Sequence, residues 1–299
     1  MTVSYVLTLV GHAESTPLKS VHLEQVYQCL GQTGRIDWLA EEEACDIFID
    51  SGLTAQAITQ KVQEALEGQL IDVVCTLVEN RRKKLLISDM DSTVINQECI
   101  NEIADAMGLG SKISKITDSV IQGKINFPEA LRKRLTLMKG MQEELLQSVY
   151  EQRITLKSGA RTLVQTMSRH GAFCILVSGG FTYFTSRIAA RLGFHEHVGN
   201  ELTFKHGLLT GEVKSPILGR TAKRDILMKL CDEKKLTPSQ VLAVGDGAND
   251  IKMIQAAGLG VAFHDTGDLC EQSSACIKHR DLTAILYIQG FHKSEFVLT

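Results

Sequence analysis

The sequence predicts an α/β protein in which a doubly wound parallel sheet with an inserted helical cap follows a smaller ferredoxin-like α+β domain. Continuous apolar runs of strand length recur after residue 84, and such runs are typical of strands buried on both faces of a parallel sheet. Helix-like segments separate these runs, and this alternation is typical of doubly wound sheets. The first 80 residues differ, because their segments follow the order βαββαβ of a ferredoxin-like sandwich.

The first domain is predicted over residues 1–80. Its strands and helices follow from apolar spacing of two and of three to four residues. In chain order these segments are SYVLTLVG, LKSVHLEQVYQCLG, RIDWLA, ACDIFID, AQAITQKVQEALEG and IDVVCTLV. No polar cluster in this part is typical of a catalytic site. The basic run at residues 81–84 that follows is expected to be a solvated boundary between domains.

The second domain is predicted over residues 81–299. Its strands are KLLISD, AFCILVSGG, VLAVGDG and LGVAF, and its helices include SGARTLVQTMSRHG, TYFTSRIAARLG and KRDILMKLCDEKK. The stretch between the first two strands is too long for a single crossover helix. The helical segments within it, such as ECINEIADAMG and FPEALRKRLTLMKG, predict a cap inserted at about 97–153.

The composition argues against several classes of function. A net charge of -3 argues against a general nucleic-acid binder. No stretch reaches the ~20 apolar residues of a membrane span, and the first apolar run lacks the basic residues of a secretory signal. Most of the eight cysteines lie in apolar stretches without a Cys-x-x-Cys pair. They are expected to be reduced core residues, which predicts a cytoplasmic protein.

Three polar motifs follow predicted strands, at the edge where ligands bind in open α/β sheets. Asp89 and Asp91 are two residues apart after LLIS, so their side chains are expected on the same side of the chain. A second motif, Ser178-Gly179-Gly180-Phe181, offers a hydroxyl and exposed backbone N–H groups that suit a phosphate. The third motif runs from residue 245 to 250 and reads GDGAND.

The carboxylates of these motifs would repel one another strongly if they converged. A divalent cation would resolve the repulsion, and ligands that are all oxygen atoms favour Mg²⁺. Lys223, at the start of a predicted helix, is the candidate for a positive charge that pairs with phosphate. Each of these residues taken alone could instead be a helix cap, a turn residue or a solvated surface residue.

In order along the chain, DMDST, SGGF, Lys223 and GDGAND resemble the four motifs of the haloacid dehalogenase-like phosphohydrolases. This resemblance implies a nucleophile that forms an aspartyl-phosphate, Asp89, and a general acid/base, Asp91. It implies Mg²⁺ held by Asp89, the backbone carbonyl of Asp91 and Asp246, with Asp250 nearby. It further implies a phosphate site formed by Ser178, Gly179, Lys223 and Asn249.

Finer details resemble the members of this superfamily that act on O-phospho-L-serine, through DMDSTVINQECINEIA and GKINFPEALRKRL. The resemblance implies that Glu98 pairs with the substrate ammonium and Arg134 with its carboxylate, whose geometry the guanidinium matches. It implies that Phe127 shields the site from water. The expected reaction is hydrolysis of O-phospho-L-serine to L-serine and phosphate, the last step of serine biosynthesis. The first domain is similar to the amino-acid-binding ACT fold, which implies L-serine as a possible ligand. The residues leave open whether this domain binds L-serine, joins two chains as a homodimer or only stabilises the fold.

Other interpretations stay open from the residues alone. Glu98 could be a first-turn helix carboxylate, and Arg134 could lie on a solvated helix face. The chain could act on another small phosphomonoester or transfer its phosphate to another alcohol. It could also be a serine-sensing regulatory protein with a vestigial phosphatase domain, although the complete motif set speaks against that.

Overall fold

The computed structural model describes residues 2–12, 15–122, 124–219, 221–264 and 267–298. In this part of the chain the strands form a four-stranded, a six-stranded and a two-stranded sheet.

The N-terminal unit is a four-stranded sheet with two helices. Its elements in chain order are β1 (Val3–Val10), α1 (Ser20–Leu30), β2 (Arg35–Ala40), β3 (Ala44–Ser51), α2 (Ala55–Ala65) and β4 (Asp72–Leu77). The strands pair in the order β2-β3-β1-β4, and every pairing is antiparallel. This arrangement confirms the predicted βαββαβ order.

The two faces of this N-terminal sheet have different partners. Alternate residues such as Leu7, Ile47 and Val73 share a buried cluster with side chains of α1 and α2. Because successive strand residues point to opposite faces, Thr8 and Asp46 face away from these helices. They are buried as well, and the second unit of the chain covers them.

The second unit contains the remaining elements. They are β5 (Leu85–Ser88), α3 (Cys99–Ala106), α4 (Gly110–Ile121), α5 (Phe127–Leu137), α6 (Glu144–Arg153), α7 (Ala160–Arg169), β6 (Phe173–Phe181), α8 (Thr182–Leu192), β7 (Glu196–Asn200), β8 (Leu202–Lys205), β9 (Leu208–Val213), α9 (Ala222–Lys234), β10 (Val241–Gly245), α10 (Ile251–Ala256), β11 (Leu259–Phe263), α11 (Asp268–Glu271), β12 (Ala275–Ile277) and α12 (Ala284–Ile288). Short 3-10 turns lie at Pro238–Gln240 and Lys293–Glu295.

The six-stranded sheet has the order β12-β11-β10-β5-β6-β7, and all its strands are parallel. Every residue of β5, β10 and β11 is buried, as the continuous apolar runs predicted. The doubly wound α/β prediction is therefore confirmed. The order places β5 between β10 and β6, so the polar motifs after these three strands meet at one edge.

Five helices, α3 to α7, lie between β5 and β6. The first four, α3 to α6, form the cap that the fold prediction included. The β8–β9 hairpin is bound to this cap. The N–H of Gly140 donates to the carbonyl of Leu209 at 2.8 Å, and the N–H of Leu209 donates to the carbonyl of Met141 at 2.8 Å. The domain boundary at residue 80 and the exact bounds of the cap stay predictions.

The basic run at residues 81–84 is not uniformly solvated, so the prediction is wrong for Arg81. One of its Nη atoms donates to Asp46 at 2.6 Å and to Thr8 at 2.8 Å in the N-terminal sheet. The same guanidinium donates through Nε to the carbonyl of Ile288 at 2.9 Å. Arg81 therefore joins the two units through a buried ion pair.

The cysteines agree with the expectation of reduced core residues with one exception. Five of the six free cysteines are buried. The pair that departs from the expectation is Cys270 and Cys276, which form a disulfide. In the described part of the chain, no helix combines the length and the apolar character that crossing a membrane requires.

Candidate active site

The candidate site lies at the carboxyl ends of β10, β5 and β6. Asp89 directly follows β5, and its N–H donates to the carbonyl of Val244 at 3.0 Å. This bond extends the sheet pairing by one residue and holds Asp89 against β10. The Asp89 side chain is buried, with 5% of the residue exposed, so the sheet presents it at a fixed position.

Lys223, near the start of α9, reaches this carboxylate. Its Nζ lies 2.7 Å from Oδ2 of Asp89 and 2.6 Å from Oδ1 of Asp250. Burial alone would lower the pKa of Lys223, but the Asp250 and Asp89 carboxylates outweigh it and raise the pKa. The lysine is thus held as a buried cation. The amide of Asn249 lies on the same carboxylate, with Nδ2 3.4 Å from Oδ2 of Asp89.

Three carboxylates gather beside Lys223. One oxygen from each of Asp89, Asp246 and Asp250 lies within 4.8 Å of the others. Burial, and after it the charge of Asp89, raises the pKa of Asp246 to about 6. Thr93, which is buried, donates to Oδ1 of Asp246 at 2.6 Å and fixes that side chain.

This cluster fits a hard divalent cation, because all its side-chain donors are oxygen and the carboxylates are close enough to share one ion. Asp250 is the least available of the three. Its Oδ1 accepts from Lys223, and its Oδ2 accepts from the N–H of Gly247 at 3.3 Å. The donor chemistry therefore favours Asp89 and Asp246 as side-chain ligands, with Asp250 beside them.

Asp91, the second aspartate of the first motif, lies beside this carboxylate cluster. Its Oδ1 accepts from the N–H of Cys99 at 2.8 Å, and its Oδ2 accepts from the Ser178 hydroxyl at 3.1 Å. Burial raises the pKa of Asp91, and the charge of Asp89 raises it further. A carboxyl with a raised pKa can hold a proton near neutral pH and donate it.

The glycines after β6 allow this close approach. A Cβ on Gly180 would lie 2.9 Å from Oδ2 of Asp91, and a Cβ on Gly179 would lie 3.1 Å from the ring of Phe127. Phe127, at the first position of cap helix α5, therefore covers Gly179. The buried amide of Asn200 donates to the carbonyl of Gly179 at 2.7 Å and holds this turn in place. A side chain at either glycine would close the space above the carboxylates.

Glu98 immediately precedes cap helix α3, but its side chain does not cap that helix. Its Oε1 instead accepts from the Ser92 hydroxyl at 2.8 Å, and Ser92 adopts a left-handed φ of 54°. Burial, followed by the charge of Asp91, raises the pKa of Glu98 to about 8. The geometry does not support the first-turn interpretation, because this carboxylate accepts from Ser92 of the first motif and lies close enough to Asp91 for the two charges to repel.

Arg134 is 8% exposed, so the solvated-face interpretation is wrong. Its Nη2 donates to the hydroxyl of Thr117 at 3.0 Å. Among the described residues its Nε is buried without a hydrogen-bond partner. Burial lowers the pKa of Arg134, while the charge of Glu98 opposes this shift. A buried cation with unsatisfied donors is suited to an anionic ligand.

The structure thus brings together Asp89, Asp91, Asn249, Asp250, Asp246, Ser178 and Lys223, and it places Gly179 under Phe127. Four further side chains hold these groups in place and were not predicted to have a role from the sequence: Ser92, Thr93, Thr117 and Asn200. Ser92 and Thr93 lie inside the first motif, so their position in the sequence could have indicated that they belong to the site. Thr117 and Asn200 carry no motif, and only the packing of helices and loops shows what they hold.

A buried pair of aspartates beside a lysine, at the edge of a parallel sheet and under a helical cap, defines a class of hydrolase built around a carboxylate nucleophile. Residues 86–255 match the family model of the haloacid dehalogenase-like hydrolases. The chain belongs to that family, and it is an enzyme of the hydrolase class.

Particular relatives are phosphoserine phosphatases. The chain is 37% identical to the phosphoserine phosphatase of Archaeoglobus fulgidus over 243 residues, which cover 80% of this chain and 70% of the relative. It is 39% identical to a solved phosphoserine phosphatase described as a phospho-aspartyl intermediate analogue, with a TM-score of 0.64 over 69% of this chain and 98% of that one. A hydrolase of the same family from Salmonella enterica shares the fold over 95% of this chain and 98% of its own length, with a TM-score of 0.86 at 22% identity.

Proposed function

We propose that the chain hydrolyses O-phospho-L-serine to L-serine and phosphate, as the last step of serine biosynthesis. The observation that carries this proposal is the pair of opposite charges on the cap side of the site, the carboxylate of Glu98 and the buried guanidinium of Arg134. A substrate with an ammonium and a carboxylate next to its phosphate ester would pair with both. The relatives named phosphoserine phosphatase support the same substrate.

The nucleophile in this proposal is Asp89. Its carboxylate attacks phosphorus, the bond from phosphorus to the serine oxygen breaks, and an aspartyl-phosphate forms. Asp91 gives its proton to the departing serine oxygen. In the second half Asp91 takes a proton from water, the water oxygen attacks phosphorus, and the bond to Asp89 breaks to release phosphate.

The phosphate site in this proposal consists of fixed donors. The Lys223 ammonium, the Ser178 hydroxyl, the Gly179 N–H and the Asn249 amide would contact the phosphoryl oxygens and stabilise charge as it develops. Ser178 and Lys223 are already buried, with 1% and 4% of each residue exposed. They therefore need little reorganisation when the substrate binds.

Asp89, the backbone carbonyl of Asp91 and Asp246 would hold Mg²⁺, with Asp250 adjacent. When bound, the cation would neutralise carboxylate and phosphate charge and orient the phosphoryl group. Thr93 keeps Asp246 turned toward this position. Phe127 and the cap helices would exclude bulk water, which would otherwise screen the charges that act on the phosphoryl group.

A phosphate-release assay tests the proposal. Phosphoserine, phosphothreonine and an aryl phosphate are compared with and without Mg²⁺, and the proposal requires Mg²⁺-dependent release with phosphoserine preferred. If the protein preferred a different ester, the proposed chemistry would stand but the proposed substrate would be wrong. No release from any ester would favour the regulatory alternative with a vestigial site.

We also propose that the N-terminal unit binds L-serine, because its βαββαβ sheet is similar to the ACT fold, and that the protein is cytoplasmic. Calorimetry of L-serine with the full chain carrying Arg134→Ala tests the first point. In that variant the candidate active site lacks its partner for a carboxylate, so remaining binding would belong to the N-terminal unit. A homodimer stays a prediction.

A further inference from the structure

We infer that Thr117 is a positioning residue that fixes the guanidinium of Arg134 and thereby selects phosphate esters whose alcohol carries a carboxylate. This inference rests on the proposed function and adds a specificity residue to it. Thr117 lies on α4 and Arg134 on α5, so the contact also joins two helices of the cap.

The hydrogen bonds of Thr117 show that its hydroxyl oxygen acts as an acceptor toward Arg134. Its hydroxyl donates to the carbonyl of Ile113, one turn earlier in α4, at 3.3 Å. A hydroxyl has a single proton, so the oxygen can only accept from Arg134. Nη2 of Arg134 lies 3.0 Å from that oxygen. The helix backbone thus orients Thr117, and Thr117 orients the guanidinium.

The remaining donors of Arg134 explain what this orientation achieves. A guanidinium has five N–H donors in a planar fork and binds a carboxylate through two parallel hydrogen bonds. In the described part of the chain, Thr117 is the one side chain that forms a hydrogen bond with Arg134, and the buried Nε has no hydrogen-bond partner. The unsatisfied edge of the fork is therefore held ready for a carboxylate.

A long arginine side chain can occupy many rotamers, and binding is stronger when the bound rotamer is already fixed. Without the Thr117 acceptor, the guanidinium would lose its one fixed bond and would sample other positions in the cap. Binding would therefore weaken for substrates that contact Arg134 and would be unchanged for substrates that do not.

The test compares two substrates that differ by one group. O-phosphoserine and O-phosphoethanolamine share the phosphate and the ammonium, and only the first has a carboxylate. Thr117→Val keeps the shape of the side chain and removes the acceptor. Thr117→Ser keeps the hydroxyl. Thr136→Val is the matched control, because Thr136 is exposed on α5 and its hydroxyl donates only to the carbonyl of Arg132.

We expect Thr117→Val to lower the ratio of kcat/KM for phosphoserine over phosphoethanolamine about tenfold, the scale of one hydrogen bond to a charged group. The change should appear in KM for phosphoserine, with kcat little altered. Thr117→Ser should restore the ratio, and Thr136→Val should leave it at the wild-type value. Because both substrates are measured on one preparation, the ratio does not depend on the fraction of folded protein.

An unchanged ratio in Thr117→Val would overturn the inference, as would an equal loss for both substrates. Failure of the proposed function looks different. In that case the wild-type protein itself would show no preference for phosphoserine over phosphoethanolamine.

Discussion

The ammonium of Lys223 lies 2.7 Å from the carboxylate of Asp89, and both side chains are almost completely buried. Two buried charges at this distance stabilise each other strongly, whereas either one alone would be expensive. The lysine therefore pairs directly with the carboxylate that is proposed as the nucleophile. The same contact places a positive charge where the phosphoryl group would arrive.

Asp89→Asn should abolish phosphate release from phosphoserine in the presence of Mg²⁺. The amide has nearly the same shape but is not a nucleophile toward phosphorus, so kcat should fall by at least about a thousandfold, as expected when a covalent step is removed. Asp232→Asn, the same substitution at an exposed residue of α9, should have no effect. Turnover near the wild-type rate in Asp89→Asn would rule out this nucleophile.

Mg²⁺ should raise the melting temperature of the protein, because a ligand that binds only the folded state stabilises it. At about 100 times its dissociation constant the gain is about 2.7 kcal/mol, which corresponds to a shift of several degrees. Asp246→Asn should remove most of this shift while leaving the metal-free protein as stable as before, since Thr93 can still donate to the amide oxygen. The readout is differential scanning fluorimetry with and without EDTA, and an unchanged shift in Asp246→Asn would place the ion elsewhere.

The KM for phosphoserine should fall as the pH rises from 6.5 toward 8.5. Burial, followed by the charge of Asp91, raises the pKa of Glu98 to about 8. Glu98 is therefore largely protonated at pH 6.5 and ionised above pH 8, and only the ionised form pairs with the substrate ammonium. Below the pKa, log KM should decrease by up to about one for each pH unit.

Glu98→Gln is the direct comparison for that pH profile. The variant should have a higher KM at pH 8.5 and a profile that is flat over this range. Glu144→Gln, at an exposed position of α6, should keep the wild-type profile. If Glu98→Gln retained the same slope, another group would be responsible for the titration.

Arg134→Ala should raise the KM for phosphoserine far more than the KM for a simple aryl phosphate. The guanidinium is proposed to bind the substrate carboxylate, which an aryl phosphate lacks, and losing a bidentate charged contact should cost about tenfold to a hundredfold in KM. Arg132→Ala changes an exposed arginine of the same helix and serves as the control. Equal effects on both substrates would remove Arg134 from carboxylate recognition.

The sequence was most informative where one short segment carries both the position and the chemistry. Asp89 and Asp91 are two residues apart at a strand end, so strand geometry alone placed them together. The parallel sheet followed from buried runs such as residues 85–88, because a strand covered on both faces has no polar side to expose.

Contacts between distant segments could not be predicted in this way. Thr117 and Arg134 meet because α4 packs against α5, and a helix–helix packing angle leaves no pattern in a single sequence. Arg81 looked like part of a charged, solvated run for the same reason. Its partner Asp46 is 35 residues earlier, on a strand whose outer face is covered only in the folded protein.

Arg81→Met should destabilise the protein by about 3–5 kcal/mol, the usual cost of leaving a buried charge without its partner. Asp46 has 1% of its side chain exposed, and among the described residues Thr8 would be the one side-chain donor left to it. Calorimetry should show the apparent melting temperature falling by about 10 °C.

Arg82→Met is the matched control, because the side chain of Arg82 is 45% exposed and its ion pair with Glu295 is worth less than about 1 kcal/mol. Adding Asp46→Asn to Arg81→Met should recover part of the loss, since the double variant no longer buries an unpaired charge. A loss no greater than that of Arg82→Met would mean that the ion pair does not hold the N-terminal sheet against the rest of the chain.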